Sequence, residues 1–295
     1  MNVGEKIRNL RLEKLMTQAD LAGDQITRNM LCTIERGAAL PSLPTARYIA
    51  SRLNVPVGYL LAEEGDEFAY RKMAAMPNVR HALTSGDYAG CLSMLNANMG
   101  DLFDDEIALI RAECEYRMAK DSFDNGRLRA AATGFDRAIA AAKNTVYDTG
   151  WIRTRSAVYF RYLSLLSPTL ASDMLEEGEI ESAKSVGDEF CAYVLAKEAL
   201  DEGRRGELAS YLSRYGGTVY AERLSALELM HDGKIKEATE ALERLLSSDA
   251  LTVGVLMYEI FGDMEQCCRS GDDYKRAYEF SSSRIGLLER LLEEV

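Results

Sequence analysis

The chain has 295 residues and a formal net charge of −12, a length that suits two domains or one extended array with a sizeable core. Five prolines against abundant Ala, Leu and Glu predict an all-α protein. Two histidines, and six cysteines with no CxxC spacing, argue against a metal site or cofactor centre. With no signal-like N-terminal run and no apolar stretch near ~20 residues, a reduced, cytoplasmic protein with no membrane partner is expected.

The charge is unevenly placed. Residues 1–65 hold 8 Lys/Arg and 7 Asp/Glu, against 27 and 40 in residues 66–295. Ending the first part at Ala62, before Glu63 and Glu64, leaves it at +3. A modestly basic face suffices for phosphate contacts where its charges cluster, and the acidic remainder is kept off a polyanion.

In chain order, residues 4–15 read as a first helix, with Ile7, Leu10, Arg11 and Lys14 at helical spacing. Thr17 reads as an N-cap for a short helix over 18–22, and Gly23–Gln25 as a turn. Thr27 is a second N-cap, opening a helix through Arg36 with Leu31 and Ile34 inward and Gly37 as its stop. Pro41 and Pro44 lead to a helix over 45–53 whose inner face is Ile49, Ala50 and Leu53; Val55, Val57, Leu60 and Leu61 close a small core.

These residues carry a resemblance. The stretches LMTQADLAG, ITRNMLCTIERG and ALPSLPTARYIASRLNVPVGYLL, in that order over 4–62, are similar to the Cro/C1-type (XRE) helix-turn-helix family. The likeness implies a lambda-repressor-like five-helix domain whose third helix lies in the DNA major groove. One departure is that the turn before the third helix is a residue shorter than in many members and lacks their usual glycine; Gly23 stands one step earlier. The resemblance implies a DNA-binding set of Gln18, Thr27, Arg28, Asn29, Thr33 and Arg36, with Arg47 a further phosphate contact. Gln18 corresponds to a phosphate clamp, while Arg28, Asn29 and Thr33 face base edges. The chemistry suits: Arg forks to guanine O6 and N7, and Asn pairs with adenine N6 and N7. Glu35 is expected to be buried or capping, because a carboxylate facing phosphate would repel.

Residues 63–67 are acidic with one glycine and mark the expected boundary, with a short helix over 68–76 before Pro77. The expected domains are 1–65, a linker or helix at 66–77, and a repeat domain at 78–295. There a glycine, a bulky apolar residue and a small residue recur in order at Gly86, Gly126, Gly178, Gly206, Gly233 and Gly271, with irregular spacing. The pattern reads as antiparallel helix pairs with first helices over 105–120, 149–166, 189–202, 219–231 and 251–269. It resembles tetratricopeptide (TPR) repeats and implies a right-handed α-solenoid. A last helix over 283–295 has Ile285, Leu288 and Leu292 on one side, to cap the array or join two protomers.

First helices line the concave face of such an array, and theirs are rich in aromatics and arginine. The effector-groove candidates are Arg153, Tyr159, Arg161, Tyr162, Tyr193 and Arg223, beside Trp151, Lys197 and Tyr258; the competing reading is that the tyrosines are core and the arginines solvated. A helix-turn-helix joined to a TPR-like array is similar to peptide-responsive regulators of the Rgg and PlcR kind. That similarity implies a homodimer on a two-fold operator in double-stranded DNA, responding to a short peptide or protein effector. The alternative is an adaptor or antitoxin-like module with an autoregulatory head. An enzyme is not expected: no nucleophile and base are paired, His81 has no Ser/Asp constellation nearby, His231 sits beside the Asp232–Gly233 turn, and Cys267–Cys268 reads as packed thiols before it reads as a redox pair.

Overall fold

The structure, a computed structural model, describes residues 2–62, 64–100, 104–185 and 187–293. All its regular elements among these are helical: α1 (Val3–Glu13), α2 (Gln18–Ala22), α3 (Arg28–Glu35), α4 (Leu43–Leu53), α5 (Val57–Leu61), α6 (Glu64–Ser85), α7 (Tyr88–Met99), α8 (Asp105–Asp124), α9 (Leu128–Ala142), α10 (Gly150–Leu166), a 3-10 turn at Pro168–Leu170, α11 (Glu177–Ser182), α12 (Glu189–Asp201), α13 (Arg205–Tyr215), α14 (Val219–His231), α15 (Ile235–Leu246), α16 (Val255–Ser270) and α17 (Tyr274–Leu292). The chain divides into two compact units, Met1–Ser85 with Ser93–Leu102, and Gly86–Leu92 with Phe103–Val295.

In the first unit α1–α5 surround a core of Ile7, Leu21, Ala22, Leu31, Ile34, Ile49, Ala50, Leu53 and Leu60. Helix starts are fixed by side chains that satisfy otherwise orphaned N–H groups. Asn2 and Glu5 cap α1 reciprocally, Thr17 and Asp20 do so for α2, and Thr27 accepts from the Met30 N–H. Two boundaries differ from the sequence expectation. The first helix stops at Glu13, and Leu15 sits in the left-handed region with its side chain in solvent. The fourth helix begins at Leu43, because Ser42 caps it and Pro44 occupies its first turn, where no N–H is needed.

The expected break around Pro77 is absent. Helix α6 runs through it, and residues 64–67, expected to mark the domain boundary, lie within that helix; Glu63 falls outside the described residues. Pro77 removes one intrahelical hydrogen bond, but Met76, Val79 and Ala82 are buried on one side, and that burial holds the helix across it.

The second unit is a series of helix pairs. Helix α8 packs on α9, α10 on α11, α12 on α13, α14 on α15 and α16 on α17, and the first helices pack in succession from α8 through α16. One turn geometry recurs. At Gly126, Gly203 and Gly233 the glycine has φ of 74 to 76°, and the next residue's N–H reaches five back to Ser122, Ala199 and Leu229. This is the left-handed helix stop that only glycine adopts without cost. The glycine expected at 206 is therefore misplaced: Gly203 makes the turn, and Gly206 lies inside α13. Gly178 likewise lies inside α11, and at the last pair Asp272 takes the left-handed position rather than Gly271.

The last helix also differs from expectation. It is one element from Tyr274 to Leu292, and it buries Leu287 and Leu291, whereas Ile285 is exposed and Leu288 and Leu292 are half-buried. Its end packs back on the first pair: the Arg129 Nε donates to the Leu292 carbonyl at 2.8 Å, and a Cβ on Gly126 would meet Leu291 at 2.7 Å. An aromatic chain runs through the core, with Phe135 stacked on Tyr159 (4.6 Å), Tyr159 on Phe190 (4.9 Å), and Tyr193 beside Tyr220 (4.8 Å).

Close approach of α8 and α9 depends on Gly134, where a Cβ would lie 2.9 Å from that of Ala119. Gly134→Val is expected to cost about 1–3 kcal/mol in urea unfolding through overpacking. Gly286, in α17 with open space around it, is the control: Gly286→Ala is expected to stabilise by about 0.5–1 kcal/mol through helix propensity.

Candidate functional site

Two places in the chain gather chemistry. In the first unit, Arg28, Asn29 and Thr33 are exposed on α3, and Arg36 and Arg47 are exposed nearby in sequence. The Thr33 hydroxyl donates to the Asn29 backbone carbonyl at 2.9 Å, a bond that does not use the Asn29 side-chain amide. Thr27 is occupied as the N-cap of α3. Tyr48 and Arg52 of α4 donate to the carbonyls of Ala22 and Asp20, tying α4 to α2.

The orientation of α3 is set by Glu35 at its end. The Glu35 carboxylate is buried and receives Arg11 Nε at 2.6 Å and Nη2 at 3.0 Å. Gln18 Nε2 donates to the same carboxylate at 2.8 Å, and Arg11 Nη1 donates to the Met16 carbonyl at 2.9 Å. One carboxylate thus joins α1, α2 and α3. Burial opposes its charge, but the hydrogen bonds from Arg11 and Gln18 and the Arg11 charge outweigh burial and hold it below the usual carboxylate range. Gln18, read from the sequence as a phosphate clamp, is thereby half-buried and committed in part to Glu35. Gly4 lets α1 approach closely, since a Cβ there would meet the Ile34 carbonyl at 2.0 Å.

In the second unit a cavity of about 430 Å³ opens between α10, α12, α14 and α16, with Arg284 of α17 at its edge. Four of the six groove candidates line it: Arg161, Tyr162, Tyr193 and Arg223. The other two do not. Arg153 pairs with Glu179 of α11, and Tyr159 is core, its hydroxyl donating to Asp188 at 3.0 Å. For Tyr159 the core reading is the correct one.

The cavity floor is a buried charge network. Arg223 is 2% exposed; its Nε and Nη2 meet the two Asp263 oxygens at 2.6 and 3.0 Å, and its Nη1 contacts Glu259 and the Tyr193 hydroxyl. Lys197 donates to Glu259 at 2.7 Å, and Tyr193 donates to its other oxygen. Burial opposes the Arg223 charge, while Tyr193, Glu259 and Asp263 more than offset that effect and hold it protonated. Sequence reasoning missed Glu259, Asp263 and Arg284. A signal existed for the first two: carboxylates four apart share one face of α16, as Glu259 and Asp263 do.

Among the described residues no group of three His, Cys, Asp or Glu is placed to hold a metal ion, and no helix is long and apolar enough to cross a membrane. None of the six cysteines is in a disulfide; Cys267 and Cys268 are both buried, and burial pushes both thiols up.

No family model matches the chain. Over 65 residues, 22% of its length, the chain is 37% identical to the immunity repressor protein of Bacillus phage phi105, and it spans 45% of that relative. Among solved structures it is similar to Bacillus thuringiensis PlcR in complex with the peptide PapR7 and DNA, at 15% identity over 99% of each chain with a TM-score of 0.24. It is also similar to the competence regulator ComR from Streptococcus vestibularis with its signalling peptide XIP, at 16% identity over 97% of this chain and 98% of that one, TM-score 0.25. At such TM-scores the architecture rests on the chain's own helices.

Glu35→Gln leaves Arg11 buried without its counter-charge, and is expected to cost about 3–5 kcal/mol in chemical unfolding. The pH dependence follows from the lowered carboxyl. Its contribution is complete above the unfolded value, about pH 4.3, and is lost as pH falls through the lower folded value; the variant's stability should lack that segment of the acid limb.

Proposed function

We propose that the chain is a sequence-specific DNA-binding transcriptional regulator whose helix-pair array senses an effector. The observation that carries the reading is the outward, exposed face of α3 bearing Arg28, Asn29 and Thr33, held in place from behind by the buried Glu35 network. A base reader needs donors and acceptors on a rigid helix that fits the major groove, and this helix supplies both. Arg36 and Arg47 serve phosphate, and Gln18 positions α2 while keeping one amide hydrogen for the backbone. The likeness over 65 residues to a phage immunity repressor supports the same role.

Under this reading two copies of the chain present paired heads to a two-fold operator, and the cavity between α10 and α16 receives a short peptide or a part of a protein partner. The local excess of basic over acidic residues up to Ala62 fits the first role, and the convergence of four first helices on one cavity fits the second.

Selection of duplexes from a random pool by the full chain, followed by titration, tests it. One sequence class should be enriched. Arg28→Ala and Asn29→Ala should each cost about 1–3 kcal/mol on that sequence and much less on scrambled DNA. A pool without enrichment, or equal loss on both duplexes, would sink base reading by α3.

A further inference from the structure

Four buried polar atoms of residues that line the cavity make no hydrogen bond within the fold. The Tyr162 hydroxyl is buried and has no hydrogen-bond partner, although the ring is 94% buried by its 6% exposure. Arg161 Nη1 donates to the Glu181 carbonyl and Nη2 stands 2.9 Å from Glu198 as an ion pair, but neither Nη2 nor Nε makes a hydrogen bond. Arg284 also has an idle buried Nε; its nearest carboxylate, Glu265, stands 4.0 Å away and is engaged by Arg269. Arg284 is not loosely placed. Its guanidinium lies 4.6 Å from the Tyr258 ring centre and rests on Gly262, where a Cβ would come within 3.0 Å. A buried donor left unsatisfied is costly, so a partner from outside the fold is favoured to arrive there.

The charge around these atoms selects the partner. Four cations and four carboxylates line the cavity. Glu259 and Asp263 are consumed by Arg223, Lys197 and Tyr193, Glu198 by Arg161, and Asp201 stands 3.6 Å from His231. What remains under-used is Arg284, together with neutral donors. A doubly charged phosphate would face the surrounding carboxylates with one cation to balance it, whereas a single carboxylate matches it. Burial keeps the Tyr162 phenol protonated, hence a donor.

Resting on the reading of the array as the sensing part, we propose that this cavity is a carboxylate-binding site in which the Tyr162 hydroxyl, Arg284 and the Arg161 Nε receive the ligand's carboxylate, while Leu166, Val194 and Tyr258 wall its apolar part. The carboxylate can belong to a peptide C-terminus or to a free small acid.

The test uses the full chain, calorimetric titration and thermal melting with three probes: a pool of tripeptides with free C-termini, the same pool as C-terminal amides, and N-acetyl-leucine. The free acids should bind about tenfold or more tighter than the amides, the worth of one charge-assisted hydrogen bond. Tyr162→Phe should melt at or above the parent temperature without ligand, since it deletes an unpartnered hydroxyl, yet lose about tenfold in binding the acids. Arg284→Gln should lose as much, and Arg284→Lys should recover part. Binding of N-acetyl-leucine would identify a free acid as sufficient; tripeptide acids alone would identify a peptide terminus. Equal binding of acids and amides, or unchanged binding by Tyr162→Phe and Arg284→Gln, overturns carboxylate recognition while leaving an effector cavity standing. No response to any probe at millimolar concentration overturns the site itself, with DNA recognition by α3 judged separately.

Discussion

A buried charge is tolerated only where its counter-charge is already in place, and both units of this chain are organised around that constraint. In the first, Arg11 forks onto Glu35; in the second, Arg223 forks onto Asp263. Each arginine is more than nine-tenths buried and meets its carboxylate through two nitrogens. A bidentate pair fixes distance and plane together, so it dictates position more than it adds net stability. Glu35 dictates where the last turn of α3 lies against α1 and α2. Asp263 and Glu259 dictate where α16 lies against α14, and with it the floor of the cavity. The functional surfaces are displaced from these pairs by one helix face, which is why a substitution at Glu35 or Arg223 reaches residues it never touches.

The array adds a second constraint, the turn that ends four of its first helices, α8, α12, α14 and α16, while α10 ends in an extended Ser167. A left-handed residue followed by a backward bond to the fifth carbonyl recurs at Gly126, Gly203, Gly233 and, with aspartate, at Asp272. This stop takes few residues and reverses the chain tightly, so consecutive first helices return to the same side. Tyr162, Tyr193, Arg223 and Glu259 come from four different helices, and the return of successive first helices to one side brings them to one cavity.

Legibility in the sequence tracks how local each feature is. The helices α1–α4 were readable apart from small shifts at the end of α1 and the start of α4, because caps, turns and the two core positions Leu31 and Ile34 all fall within a few residues of what they control. The burial of Glu35 was legible from the electrostatics of a carboxylate next to phosphate, but its partner Arg11, 24 positions away, was not. In the array the first helices were readable from glycine punctuation. Where two glycines stood three apart, as at Gly203 and Gly206, pattern matching chose the one that satisfied the motif, whereas backbone geometry required the one at the helix end. Pro77 misled because propensity argues for a break and the burial of Met76 and Val79 overrides it. The faces of α17 were misassigned because Leu287 and Leu291 pack on elements far back in the chain, among them the turn at Gly126.

The tyrosines of α10 show why residue type alone does not locate a binding site. Tyr159 and Tyr162 lie three apart, and both are removed from water. Tyr159 finds Asp188, which also accepts from Tyr116 at 2.9 Å, so its hydroxyl belongs to the scaffold and its ring to the aromatic chain. Tyr162 packs its ring against Phe123 and Phe190 in the same core and lines the cavity, but its buried hydroxyl has nothing to bond. Phenylalanine would fill that core equally well and would leave no donor stranded. A polar atom that weakens the fold where it stands, in a cavity lining that holds three arginine nitrogens in the same condition, is accounted for by what enters the cavity rather than by what surrounds it.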